Sequence, residues 1–226
     1  MNSDRPEETL RLMQLCSPML PVGAYAYSQG LEFAISSGWV NDEDSTSLWI
    51  HGLLESSLTY LDVPLLSRLY KAWSIYDKKN VLYWNDYLFA SRESRELQEE
   101  EQQLGHALAR LLGDLGIAEA AEWKNKPRVC FLSVFSLGAM HWKVPLNDAS
   151  LGYLWMWAEN QVLASIKLVP IGQTCGQKLL SSCIEVIPSL VVKGLSLEDE
   201  DVGYTAPGQG IASALHETQY TRLFRS

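Results

Sequence analysis

The sequence predicts an all-α fold: a single-domain helical bundle of roughly ten helices with a flexible C-terminal tail. Three observations carry this. Apolar residues recur at helical spacing, as in Leu97, Leu104, Leu108 and Leu111. Alternating strand patterns bounded by Asn-Gly or Asp-Gly turns are absent. A composition of 47% hydrophobic and 20% charged residues over 226 positions suits one large globular domain, 1–226.

Residues 1–8 are polar and mostly acidic and read as a mobile N-terminus. In residues 18–32, Pro18 and Pro21 restrict the backbone, Gly23 permits positive φ, and a helix starts near the end. Asn41, followed by Asp42, Glu43 and Asp44, reads as a cap with acids in the first turn. Leu53, Leu54, Leu58 and Leu61 continue that helical spacing. Pro64 begins a new segment with Leu65, Leu66, Leu69, Trp73 and Tyr76 as its apolar set.

The clearest helix covers residues 91–112, with Gly113 and Gly116 at its end. Its acids from Glu93 to Glu101 read as a solvated face, supported by the pairs Arg92–Glu96 and Arg95–Glu99. Residues 124–127 form a loop. The most apolar stretches, 129–142 and 151–169, are interrupted by Lys143, Pro145 and Glu159 and read as core helices rather than bilayer spans. Asn147 and Asp148 cap the second, and Pro170 breaks it. A further helix over about 174–187 ends before Pro188. Residues 196–210, acidic and then rich in Gly and Pro, read as a linker to a tail over 211–226.

Composition excludes several functions. A net charge of −9 opposes nucleic-acid binding, which needs clustered Lys and Arg. No secretory leader precedes the first helix, so the expected location is the cytoplasm, with Cys16, Cys130, Cys175 and Cys183 reduced. No close Cys pair exists, and His51, His106, His141 and His216 lie far apart, so no metal ligand spacing is present. Neither a nucleophile elbow nor a phosphate-binding loop occurs. The expectation is a protein without catalysis or cofactor of its own.

Two segments stand out. Tyr25, Tyr27, Ser28, Gln29 and Glu32 place polar aromatics, an amide and a carboxylate at a helix start, which suits either a stabilising core edge or a docking surface. The tail from His216 to Arg225 is rich in the aromatic and arginine side chains that anchor interfaces. It either docks within the chain, packing back onto Tyr25–Tyr27, or waits to order on a partner. Between them, Gly172 and Gly176 would share a helix face, with Gln173 and Gln177 beside it.

These segments carry a family resemblance. Residues 20–32, LPVGAYAYSQGLE, resemble the N-terminal motif of the urease accessory protein UreF family. Ser91-Arg92-Glu93-Ser94-Arg95 with Gly105 downstream is similar to its charged central helix. Residues 167–177, KLVPIGQTCGQ, and 216–226, HETQYTRLFRS, resemble its two late motifs. Ala24 and Ile171 depart from the commoner family residues, and the stretch 41–88 carries little family pattern.

The resemblance implies an all-helical cytoplasmic adaptor for nickel insertion into apo-urease. It would bridge UreD (also called UreH) to the GTPase UreG, modulate that GTPase, and commonly form a homodimer. Nickel and GTP then belong to the assembled complex. The expected partner-facing residues are Tyr25, Tyr27, Gln29, Glu32, Lys167, Gln173 and Gln177. His216, Tyr220, Arg222, Leu223, Phe224 and Arg225 belong to a tail that orders on UreD. Two alternatives stay open: a GTPase-activating protein that inserts Arg92, Arg95 or Arg222, and a helical protein that binds a small ligand in a Trp- and Tyr-lined pocket.

Overall fold

A computed structural model describes residues 6–226, all of them helix, turn or loop, with no strand among them. The helices are α1 (Pro6–Leu15), α2 (Leu31–Ser36), α3 (Glu43–Leu53), α4 (Val63–Ser74), α5 (Lys78–Ser91) and α6 (Arg95–Asp114). They are followed by α7 (Ala118–Trp123), α8 (Phe131–His141), α9 (Leu146–Leu168), α10 (Gln173–Leu195) and α11 (Pro207–His216). Part of the expected mobile stretch, 1–5, lies outside the described residues; Pro6, Glu7 and Glu8 form the first turn of α1.

Burial explains the layering. In α8 every residue from Phe131 to Ala139 is buried, and α4 and α6 pack on it. The short loop after Leu168 folds α10 back along α9, the most extensive helix pairing among the described residues. The main core joins side chains from nearly all helices, with Phe135 wholly enclosed. A second, smaller core gathers Leu31, Ala34, Val40, Ala164, Val169, Ala212 and Phe224, so the tail helps to build it.

Several local readings are corrected. The cap of α3 is Asp42 rather than Asn41, because the Asp42 carboxylate accepts the Ser45 N–H at 2.8 Å. Pro64 opens a new helix, α4, as the sequence reading has it, but no loop separates α4 from α3: a π-helical stretch, Leu54–Asp62, joins them. There the Val63 N–H donates to the Leu58 carbonyl and the Thr59 hydroxyl to the Leu54 carbonyl, each five residues back. Pro64 at the first turn of α4 has no N–H to place, so the chain passes through it without a kink signal.

The charged helix starts at Arg95 rather than near Ser91, since the Ser94 hydroxyl caps it by accepting the Leu97 N–H at 3.1 Å. Pro145, not Asn147 or Asp148, precedes α9. Pro188 does not end α10. It sits inside the helix on an exposed face, where water can take the carbonyl of Ile184 that loses its donor. The linker region is partly structured. Asp199 takes the Arg68 guanidinium, the Gly203 N–H donates to the Tyr60 carbonyl at 3.0 Å, and α11 begins at Pro207.

Candidate partner-binding site

The loop between α1 and α2 turns on left-handed residues, Gly23 at φ 85°, Gln29 at φ 56° and Gly30 at φ 84°. These turns send the successive side chains of Tyr27, Ser28 and Gln29 inward. The Tyr27 hydroxyl donates to Gln103 Oε1 at 2.6 Å. The Gln29 amide donates to Glu100 Oε1 at 2.7 Å and accepts the Trp157 indole N–H at 2.7 Å. The Asn160 amide donates to the Tyr27 carbonyl, and that of Gln161 to the Ser28 carbonyl. Tyr25 alone among these aromatics points outward, 66% exposed.

Glu32, in the first turn of α2, is the hub for the tail. Its Oε1 accepts the Leu223 N–H at 2.7 Å, and its Oε2 accepts the Phe224 N–H at 2.9 Å. His216 Nε2 lies 3.1 Å from that same Oε2. The other ring nitrogen, Nδ1, lies 2.7 Å from Glu96 Oε2, and the Arg222 guanidinium donates to Glu96 Oε1 at 2.7 Å. His216 is wholly buried and both carboxylates nearly so. Charges removed from water need such paired partners, and here each has them.

The rest of the tail is pinned to the same loop. The Arg225 N–H donates to the Ala26 carbonyl at 2.8 Å, and the Ser28 N–H to the Ser226 main-chain oxygen at 2.8 Å. The Ser226 hydroxyl donates to Glu100 Oε2 at 3.0 Å. Phe224 sits in the second core, with the Lys167 ammonium 5.6 Å from its ring centre. Of the two readings of the tail, docking within the chain is the one seen. In that pose carboxylates from α2 and α6 take the main-chain and side-chain donors of the tail. The contact to Tyr25–Tyr27 runs through Arg225; Arg222 pairs with Glu96.

Beneath this layer lies an ionic node. Arg92 donates to both oxygens of Asp62, at 2.7 and 3.2 Å, and to Glu101 Oε1 at 2.6 Å. The Tyr153 hydroxyl donates to Asp62 Oδ1 at 2.7 Å, and Glu101 Oε2 accepts the Phe131 N–H that opens α8. Burial works against the Arg92 charge, but Asp62 and Glu101 outweigh it and keep the guanidinium protonated. Burial pushes the Glu100 carboxyl up to about 7, against the hydrogen bonds from Gln29 and Ser226. A cavity of about 70 Å³ lies among Asp62, Arg92, Glu100, Glu101, Gln29 and Tyr153, large enough for a few waters.

Glu96, Glu100 and Glu101 therefore correct the solvated-face reading, and Arg92–Glu96 is not a pair. The signal was present: residues 97, 100, 101, 104 and 108 share one helical stripe, so these acids travel with the leucines. Asp62, Arg92 and Gln103 carried no such signal. Arg92, locked between two acids, is out of reach as an inserted arginine; Arg95 is largely exposed, beside Glu99 and Glu217. Tyr220 faces solvent fully and Leu223 for the most part, and Lys167, Gln173 and Gln177 are exposed. Gly172 caps α10 while Gly176 packs on Ile166 and Val162, so the two do not form a shared contact face.

Among the described residues, no cluster of three or more His, Cys, Asp and Glu side chains is gathered to hold a metal ion. No helix there is long and apolar enough to cross a membrane. The four cysteines are free.

Fold and site together define an all-helical protein whose C-terminal segment is pinned across the loop between α1 and α2. The chain belongs to the UreF family: the UreF family model matches residues 40–184. It is 49% identical over 216 residues to a urease accessory protein UreF of Alkalilimnicola ehrlichii, covering 96% of this chain and 95% of that one. The protein of the same name from Pseudomonas putida is 45% identical over 226 residues, covering both chains fully. One from Chromohalobacter salexigens is 46% identical over 216 residues, covering 95% of this chain and 93% of that one. These relatives carry the names of accessory proteins, not of enzymes.

Proposed function

We propose that this chain is a non-catalytic adaptor in urease maturation. It bridges UreD (UreH) to the GTPase UreG and modulates that GTPase while nickel is inserted into apo-urease. The names of the relatives support the process. The observation that carries the adaptor role is the tail: Glu32, Glu96 and Glu100 pin it, and the pinned tail holds Tyr220 and Leu223 in solvent. Ordering a segment before it binds removes much of the entropy cost of association. Large side chains held in this way suit interface anchors. A homodimer acting in the cytoplasm belongs to the same proposal, and nickel and GTP are cargo and substrate of the complex.

The test is copurification and sizing of the full chain with UreD and UreG, with and without GTP. The variant is Tyr220→Ala with Leu223→Ala, which leaves the Leu223 N–H on Glu32. The expected result is a complex for the parent chain and at least tenfold weaker assembly for the variant, with unchanged helical circular dichroism. Equal assembly by the variant overturns the tail surface, and no assembly by the parent chain overturns the adaptor reading.

A further inference from the structure

A groove remains that the tail does not use. It runs between α1 and α9, encloses about 460 Å³, and is lined by Leu12, Met13, Cys16, Leu151, Gly152 and Trp155. Its charged lining is acidic only: Asp148 at one end and Glu159 at the other, eleven residues later on α9. That separation places both carboxylates on one face, three turns or about 16 Å apart. Neither accepts a hydrogen bond or meets a cation among the described residues. Burial pushes the Glu159 carboxyl above its ordinary range, so this acid lacks a partner that would hold its charge.

The groove continues past Cys16, Ser17, Pro18 and Glu159 into a smaller pocket that reaches Tyr25. Met13 and Met19 are exposed near it, and flexible thioether side chains adapt to an apolar occupant. Burial and the nearby Glu159 push the Cys16 thiol up to about 12, so this wall of the groove is uncharged.

We propose that the groove between α1 and α9 seats an amphipathic helix of a partner protein, apolar on its seated face and carrying Lys or Arg at each end of that face. The spacing of its acids fits a helix of about three turns laid along α9, with its cations meeting Asp148 and Glu159. Charge sets its orientation and selectivity, and the apolar wall supplies contact area. The inference deepens the adaptor reading and rests on it only for the existence of a protein partner.

The experiment uses the full chain and a fluorescent synthetic peptide helix with a Leu face and two Lys eleven positions apart. A second peptide carries Glu at those two positions. Anisotropy titrations are expected to give at least tenfold tighter binding of the Lys peptide. The Asp148→Asn/Glu159→Gln variant is expected to abolish that preference. Trp155→Ala and Met13→Gln, the latter at an exposed rim, are expected to weaken both peptides with unchanged circular dichroism. Equal affinity for the two peptides, or binding indifferent to these variants, overturns the proposal. A chain that assembles with UreD and UreG yet shows no peptide preference loses only the groove. A chain that selects the Lys peptide but assembles with neither partner loses only the adaptor reading.

Discussion

Glu32 holds Phe224 by its main chain. The carboxylate accepts the Phe224 N–H at 2.9 Å while the Phe224 ring lies in the second core beside Leu31, the residue that precedes Glu32. One buried acid therefore ties the tail to α2 by charge, and its neighbour does so by packing. Glu32→Gln keeps the size but turns one oxygen into a donor that faces N–H groups. The expected loss is about 2 kcal/mol, the range for a charge-assisted bond left unmet. Urea unfolding gives the magnitude. Hydrogen exchange at Leu223 and Phe224 should rise first, and unchanged protection there would contradict the hub.

Glu100 gives a pH dependence. Its ordinary value of 4.5 is raised to about 7 by burial, so the folded chain binds this proton more tightly than the unfolded one. The stability it contributes is full below about 4.5 and is lost as pH rises through 7, a swing of order 3 kcal/mol. Urea midpoints at pH 5 and pH 8 check it. Glu100→Gln should flatten this part of the profile, and a parallel profile in the variant would reject the assignment.

The ionic node predicts asymmetry between its members. Asp62→Asn leaves Arg92 buried with one carboxylate instead of two, at an expected cost of about 3 kcal/mol. Tyr153→Phe removes a single hydrogen bond to Asp62 and should cost about 1 kcal/mol. Comparable losses in the two variants, measured by chemical denaturation, would mean that the node is not built around the guanidinium.

Gly30 and Gly23 share a left-handed backbone but not surroundings. A Cβ at Gly30 would lie 2.9 Å from the Ser213 nitrogen in α11, whereas nothing stands within 4 Å of one at Gly23. Gly23→Ala should cost only backbone strain, about 1 kcal/mol. Gly30→Ala should cost more and also loosen α11, read as faster proteolysis after residue 206. Equal melting points for the two variants would count against close seating of α11.

The helical class was legible because the leucine spacing of α6 and the apolar run of α8 have one reading. Boundaries were less so. Ser94 looks like any serine inside a charged run until its hydroxyl is seen on the Leu97 N–H, and Pro188 resembles a terminator because sequence does not reveal which face it occupies. The site was half legible. Glu32, His216 and Arg222 stood out by residue type, yet what they hold is the tail. Glu96, the partner of His216 and Arg222, and Glu100, the partner of Gln29 and Ser226, were hidden by exposed neighbours of the same charge, Glu93 and Glu99. Burial, which separates these acids, depends on contacts made far along the chain.

The π-helical stretch 54–62 bears on how this family can change length. Wider winding there joins α3, which packs on α9 and α10, to α4, which keeps both of those neighbours and adds α5 and α8. Removing a single residue would leave a respectable ordinary helix by every local criterion. It would also swing everything downstream by about 100°, carrying Asp62 away from Arg92. The stretch sets the phase between two halves of one rod, so tolerance to insertion or deletion should be lowest at a place with no loop, no charge run and no catalytic residue to advertise it.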